Sequence, residues 1–261
     1  NVAIGYNAGT AVTTGVQNTL IGSLAGDALT SGDSNVAVGY EALTTQIVNG
    51  QNVAIGTEAL KNQNVSGHGN NTAVGHQAGL SVTTAVKNTL VGGNAGDAIT
   101  TGGNNTVLGY DALGANTIGN SNVAIGKDAM KTNVAADKNV AVGLGTLQAF
   151  TSATALDTYN TAVGYNAGTA VTTGTENTLI GGLAGDSITT GSDNVAIGFE
   201  ALGQETTGSL NTAIGHKSLA ILNVDGDGNN TAVGYRSGVA MTTGTNNTLI
   251  GGLAGDALTT G

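Results

Sequence analysis

One five-residue box, Asn-[Val/Thr]-[Ala/Leu/Val]-[Ile/Val/Leu]-Gly, begins at residues 1, 18, 35, 52, 71, 88, 105, 122, 139, 160, 177, 194, 211, 230 and 247 of this 261-residue chain. Eleven of the fourteen intervals are 17 residues, two are 19 and one is 21. Self-similarity at a fixed short period marks a chain in which each repeat is one structural unit resting on the next. Seventeen residues are too few for a helix pair, and the glycine and threonine of every repeat disfavour helix. The unit therefore predicts one turn of an all-β fold, a β-solenoid or parallel β-roll of fifteen coils. The box is its first strand, closed by a glycine where the chain turns or meets its neighbour closely. A second strand is expected from about repeat position 8 to a turn such as Thr13-Thr14-Gly15. At about 4.8 Å per coil, the rod would be roughly 70 Å long. No linker interrupts the series, so residues 1–261 read as a single repetitive array, and as a fragment of a longer fibre protein because both ends fall inside the repeat.

Two box positions never vary. Asparagine at position 1 and glycine at position 5 make the candidate structural residues Asn1, Gly5, Asn18, Gly22, Asn35, Gly39, Asn177, Gly181, Asn247 and Gly251 among others. Asparagines at one place in every coil should stack as an amide ladder. A second pattern concerns the core. Position 9 is glycine in eight coils and Leu or Met in seven; the glycine coils carry an apolar residue at position 12, and five of the others carry Gln46, Gln63, Asn116, Asn133 or Glu205 there. Constant interior volume suggests a plug that moves between the two positions. Leu43, Leu202, Val12 and Ile188 are then expected to be buried, and Gln46 and Glu205 exposed. Coils alternate in glycine and leucine pairs, and residues 1–102 recur with substitutions at 160–261, an offset of 159. The ninth coil is irregular, with Phe150 at position 12 and a long excursion over 148–159.

Side chains alternate along a strand, so position 3 faces away from positions 2 and 4. Both faces of the box are apolar. Assigning position 4 to the interior leaves the row containing Ala3, Leu20, Leu90, Leu179 and Leu249 for a partner, and burying it against copies of the same chain predicts self-association.

The boxes NVAIG at 1–5, 52–56, 122–126 and 194–198 resemble the head repeats of trimeric autotransporter adhesins. That resemblance implies a left-handed parallel β-roll with three chains about one axis, a homotrimer. The longer string NTAVGYNAGTAVTTGTENTLIGGLAGDSITTG at 160–191 is similar to repeats of phage tail fibres and tail-fibre-like surface proteins. It implies a structural fibre shaft, located in a virion or extracellularly, with weak adhesion to host cell-surface glycans through rows of tyrosine, histidine and amide side chains. The alternatives are an autotransporter adhesin head or a ligand-binding solenoid for polysaccharide or ice. Ice binding calls for Thr-x-Thr spacing, whereas Thr13-Thr14 and Thr242-Thr243 are adjacent and point in opposite directions.

Catalysis, cofactors and metals are not expected. The 17 acidic and 7 basic residues are scattered and form no basic stripe for nucleic acid, and no run of 18 apolar residues predicts membrane insertion. His76 and His216 occupy position 6, where other coils carry Tyr or Phe, and His68 lies in a turn. Asp27, Asp97, Asp186 and Asp256 recur singly at position 10, without the paired spacing of a glycosidase. Asp225-Gly226-Asp227-Gly228-Asn229 alternates oxygen ligands as a calcium loop does but lacks its distal glutamate.

Overall fold

A computed structural model describes residues 1–48 and 50–261. The described chain is all-β, with fifteen parallel strands of three residues each and no helix. It divides into two compact units, Asn1–Asp128 with Asn133–Ala135, and Ala129–Thr132 with Ala136–Gly261. The first holds β1 (Val2–Ile4), β2 (Thr19–Ile21), β3 (Val36–Val38), β4 (Val53–Ile55), β5 (Thr72–Val74), β6 (Thr89–Val91), β7 (Thr106–Leu108) and β8 (Val123–Ile125). The second holds β9 (Val140–Val142), β10 (Thr161–Val163), β11 (Thr178–Ile180), β12 (Val195–Ile197), β13 (Thr212–Ile214), β14 (Thr231–Val233) and β15 (Thr248–Ile250). Within each unit every strand pairs in register with that of the next coil, as in Val2↔Thr19 and Thr178↔Val195. Each unit is thus a β-solenoid.

The coil has one strand, not two. Past the position 5 glycine, alternate residues take left-handed backbone: Glu200 has φ 51° and Leu202 φ 53°. Such alternation cannot extend, and positions 6–11 wind as consecutive turns, so the expected second strand is absent. Leucine in this region costs about 1–2 kcal/mol of strain, which burial of its side chain offsets.

The asparagines join one coil to the next and, in many coils, close their own. Asn177 accepts the backbone N–H of Asn194 on Oδ1 at 3.1 Å, and its Nδ2 donates to Gly191 O at 2.9 Å, across its own coil. Asn18 does the same with Asn35 N at 2.9 Å and Gly32 O at 2.8 Å. Nδ2 also reaches the preceding amide oxygen in many coils, as from Asn247 to Asn230 at 3.1 Å. A second ladder runs through position 13, where the hydroxyl of Thr189 donates to Thr206 O at 2.9 Å and that of Thr172 to Thr189 O at 3.1 Å.

Two sequence expectations about the core are corrected. Position 3, not position 4, faces the interior: Leu20, Leu90 and Leu179 are buried, whereas Ile180 and Leu108 at position 4 are exposed. Leu20, Leu90, Leu179 and Leu249 each sit in the second coil of a glycine pair, and their methyls fill the space left by both glycines. A Cβ on Gly168 or Gly185 would lie 2.6 Å or 2.7 Å from Leu179. Volume is conserved, but between positions 3 and 9.

Position 12 is buried whatever occupies position 9. Leu43, Leu202 and Ile188 are buried as expected and Val12 is half-buried, but Gln46, Gln63, Asn116, Asn133 and Glu205 are fully buried too. Several of these polar residues bond the turn that follows them. Asn116 Nδ2 donates to Gly119 O and Asn116 Oδ1 accepts from Gly119 N, both at 3.0 Å. Glu205 accepts the N–H groups of Thr206 and Gly208 on Oε1, at 2.9 and 2.8 Å, and that of Val224 on Oε2 at 3.2 Å.

Burial raises the pKa of the Glu205 carboxyl above the usual range, although these N–H groups pull the other way. A carboxyl with a folded pKa above its unfolded value of about 4.3 binds its proton more tightly when folded. Its ionisation opposes folding at neutral pH, and stability is gained as pH falls through the folded pKa. Glu41 and Glu58 have lowered pKa values, from bonds to Lys61 and Tyr40 and to Gln77 and Lys61 respectively, and act in the opposite sense. The difference between wild type and Glu205→Gln isolates the buried group. In urea unfolding, wild type should gain on the variant as pH falls from 7 towards about 4; a difference independent of pH would refute this assignment.

Candidate interaction face and cleft

Each solenoid unit presents three different sides to solvent. The outward side of the strands is built from positions 2 and 4, and these hold only Val, Thr, Ile and Leu in all fifteen coils. The pleat turns them out because position 3 is committed to the core. Stack neighbours cover them in part, leaving Ile180 37% and Leu108 48% exposed.

Beyond the position 5 bend lies a row of rings. Tyr40, Tyr110, Tyr165, Phe199 and Tyr235 are exposed at position 6. Phe199, His216 and Tyr235 stack in consecutive coils, with centroids 5.5 Å apart and planes inclined by 25° and 26°. Small residues make room beneath other rings: a Cβ on Gly182 would meet Phe199 Cδ2 at 3.5 Å.

The third side is formed by turn positions 7, 10 and 11 and carries most of the charge. Asp27, Asp97 and Asp186 have carboxyls raised above the usual range, first by burial. The nearby charges of Glu41, Asp111 and Glu200 respectively push them further up. In the second unit a cleft of about 490 Å³ opens here, lined among others by Asp186, Glu200, Gln204, Lys217, Ala220 and Arg236. Lys217 Nζ lies 2.9 Å from Glu200 Oε2. A smaller cavity of about 300 Å³ lies under the ninth-coil excursion, between Phe150, Leu156 and several threonines.

The invariant asparagines face inward and bond the backbone, and Asn18, Asn35 and Asn177 are buried. Gly5, Gly22 and Gly39 in the first unit, and Gly181 in the second, each belong to their unit's column of glycines, in which a Cβ would strike the glycine carbonyl of the following coil. His68 bridges Gly50. Asp227 bridges Ser209, and the Asp225 carboxylate accepts the Thr207 hydroxyl at 3.3 Å. Among the described residues no three His, Cys, Asp or Glu side chains converge as metal ligands. The cleft was not among the sequence-based candidates, although the 159-residue offset held its signal: Glu58, Lys61 and Gln77 become Lys217, Ala220 and Arg236. No family model, curated protein or solved structure matches the chain.

Proposed function

We propose that the chain is a structural fibre shaft assembled by lateral association of three copies through the outward side of its strands. The uncharged run of Val, Thr, Ile and Leu at positions 2 and 4 carries this reading. A strip one three-residue strand wide is about 10 Å across, so seven and eight coils give footprints of about 340 and 380 Å². Together they come to about 720 Å² per chain, which a closed trimer divides between two neighbours. Contact through this face leaves the turn side free and adds no buried charge. The three-fold arrangement, and a place in a virion tail fibre or an extracellular adhesin, rest on the resemblance of the repeats. The in-register backbone, asparagine and threonine ladders favour a stiff spacer over a mobile binding module. Sedimentation equilibrium tests the reading: the expected mass is three times the 25.3 kDa chain, and a folded monomer in dilute solution would overturn it.

A further inference from the structure

The two halves of the sequence treat the turn side differently. In the first unit Lys61 at position 10 reaches between two carboxylates, 2.5 Å from Glu41 Oε2 and 2.7 Å from Glu58 Oε1. Gln77 Nε2 donates to the other Glu58 oxygen at 2.7 Å. These polar groups satisfy one another, and Lys61 fills the space between them. At the equivalent place 159 residues on, Ala220 has no side chain to do so. Among the described residues Glu200 forms an ion pair with Lys217 and no other base. Arg236, which replaces Gln77, has no side-chain hydrogen bond or ion pair among the described residues and is exposed. The missing lysine leaves the cleft.

We propose that this cleft binds a segment of an uncharged glycan. Its volume falls within the roughly 300–1,000 Å³ of small-molecule sites. Asp186 and Glu200 supply two acids and Lys217 and Arg236 two bases, so the lining has no net charge in a chain of net charge −10. An anionic ligand would leave the carboxylates opposed, and a cationic one the bases. A sugar hydroxyl both donates and accepts, and vicinal hydroxyls match alternating carboxylate, ammonium and guanidinium groups. The apolar side chains of Leu183 and Val239 also line the cleft and suit the C–H face of a pyranose.

This goes beyond the shaft reading, and its variants leave positions 2 and 4 untouched, so one can fail without the other. The probes are maltohexaose, mannohexaose and, as an anionic comparator, an alginate hexamer, titrated calorimetrically into the full chain. At least one neutral hexamer should bind. Ala220→Lys, which restores the residue of the first unit, and Arg236→Ala should each weaken binding about tenfold or more, with circular dichroism and sedimenting mass unchanged. Arg236 lies on the surface, so its variant decides the matter even if Ala220→Lys does not fold. The proposal is overturned if neither neutral hexamer binds, if binding survives Arg236→Ala, or if the alginate hexamer binds more tightly.

Discussion

Replacing Gly181 by alanine is expected to destabilise the second unit by more than about 4 kcal/mol, whereas the same change at its neighbour Gly182 should cost less than about 0.5 kcal/mol. Gly181 has φ +134°, in a region that side chains rarely adopt, and a Cβ there would lie 2.6 Å from Gly198 O and 2.7 Å from Gly198 C. The backbone strain alone is worth about 1–3 kcal/mol. The clash adds to it because the obstacle is backbone. Gly198 cannot retreat, since its N–H is bonded to Ile180 O at 2.7 Å and its own Cβ position faces Gly215 O at 2.5 Å. Relief at one coil would have to pass through the column. At Gly182 the nearest atom to a Cβ is a ring carbon of Phe199 at 3.5 Å, an ordinary contact. Denaturant unfolding of the two variants checks the contrast, and equal effects would contradict the glycine column.

Much of the coil was legible because its causes repeat. An asparagine that returns every 17 residues has one environment, and Asn177 and its counterparts indeed bond the adjoining coil and their own turn. Strand alternation, by contrast, separates position 3 from positions 2 and 4 without saying which side is inside. The deciding clue was the placement of Leu20, Leu90, Leu179 and Leu249 beside paired glycines at position 9, since residues that compensate in volume must share one interior. Gln46 and Glu205 misled for another reason. Polarity usually means exposure, but a turn is itself a source of donors and acceptors, and Glu205 meets two N–H groups of the turn that follows it and one, that of Val224, from the next coil. The second strand failed because left-handed residues such as Glu200 and Leu202 are not glycine and give no warning in the sequence. The cleft was hidden because it depends on a side chain that is missing: only aligning Lys61 with Ala220 reveals it.

The outward strand face should be closed to solvent in the assembled protein. Ile180, at the end of β11, is 37% exposed in the single chain, so a cysteine there would react freely with a thiol reagent. Packed against a neighbouring copy, it would react only after local opening, and a protection of about a hundredfold corresponds to an opening cost of a few kcal/mol. The chain contains no cysteine, so each introduced thiol reports on one place alone. Thr190, exposed in the turn that follows the buried Ile188, provides the reference. The most direct measurement is the labelling rate of Ile180→Cys against Thr190→Cys in the native protein, repeated after dilution or mild denaturant separates the chains. The expected result is slow labelling at 180 that rises to the rate at 190 on dissociation; equal rates at both sites in the native protein would contradict association through this face.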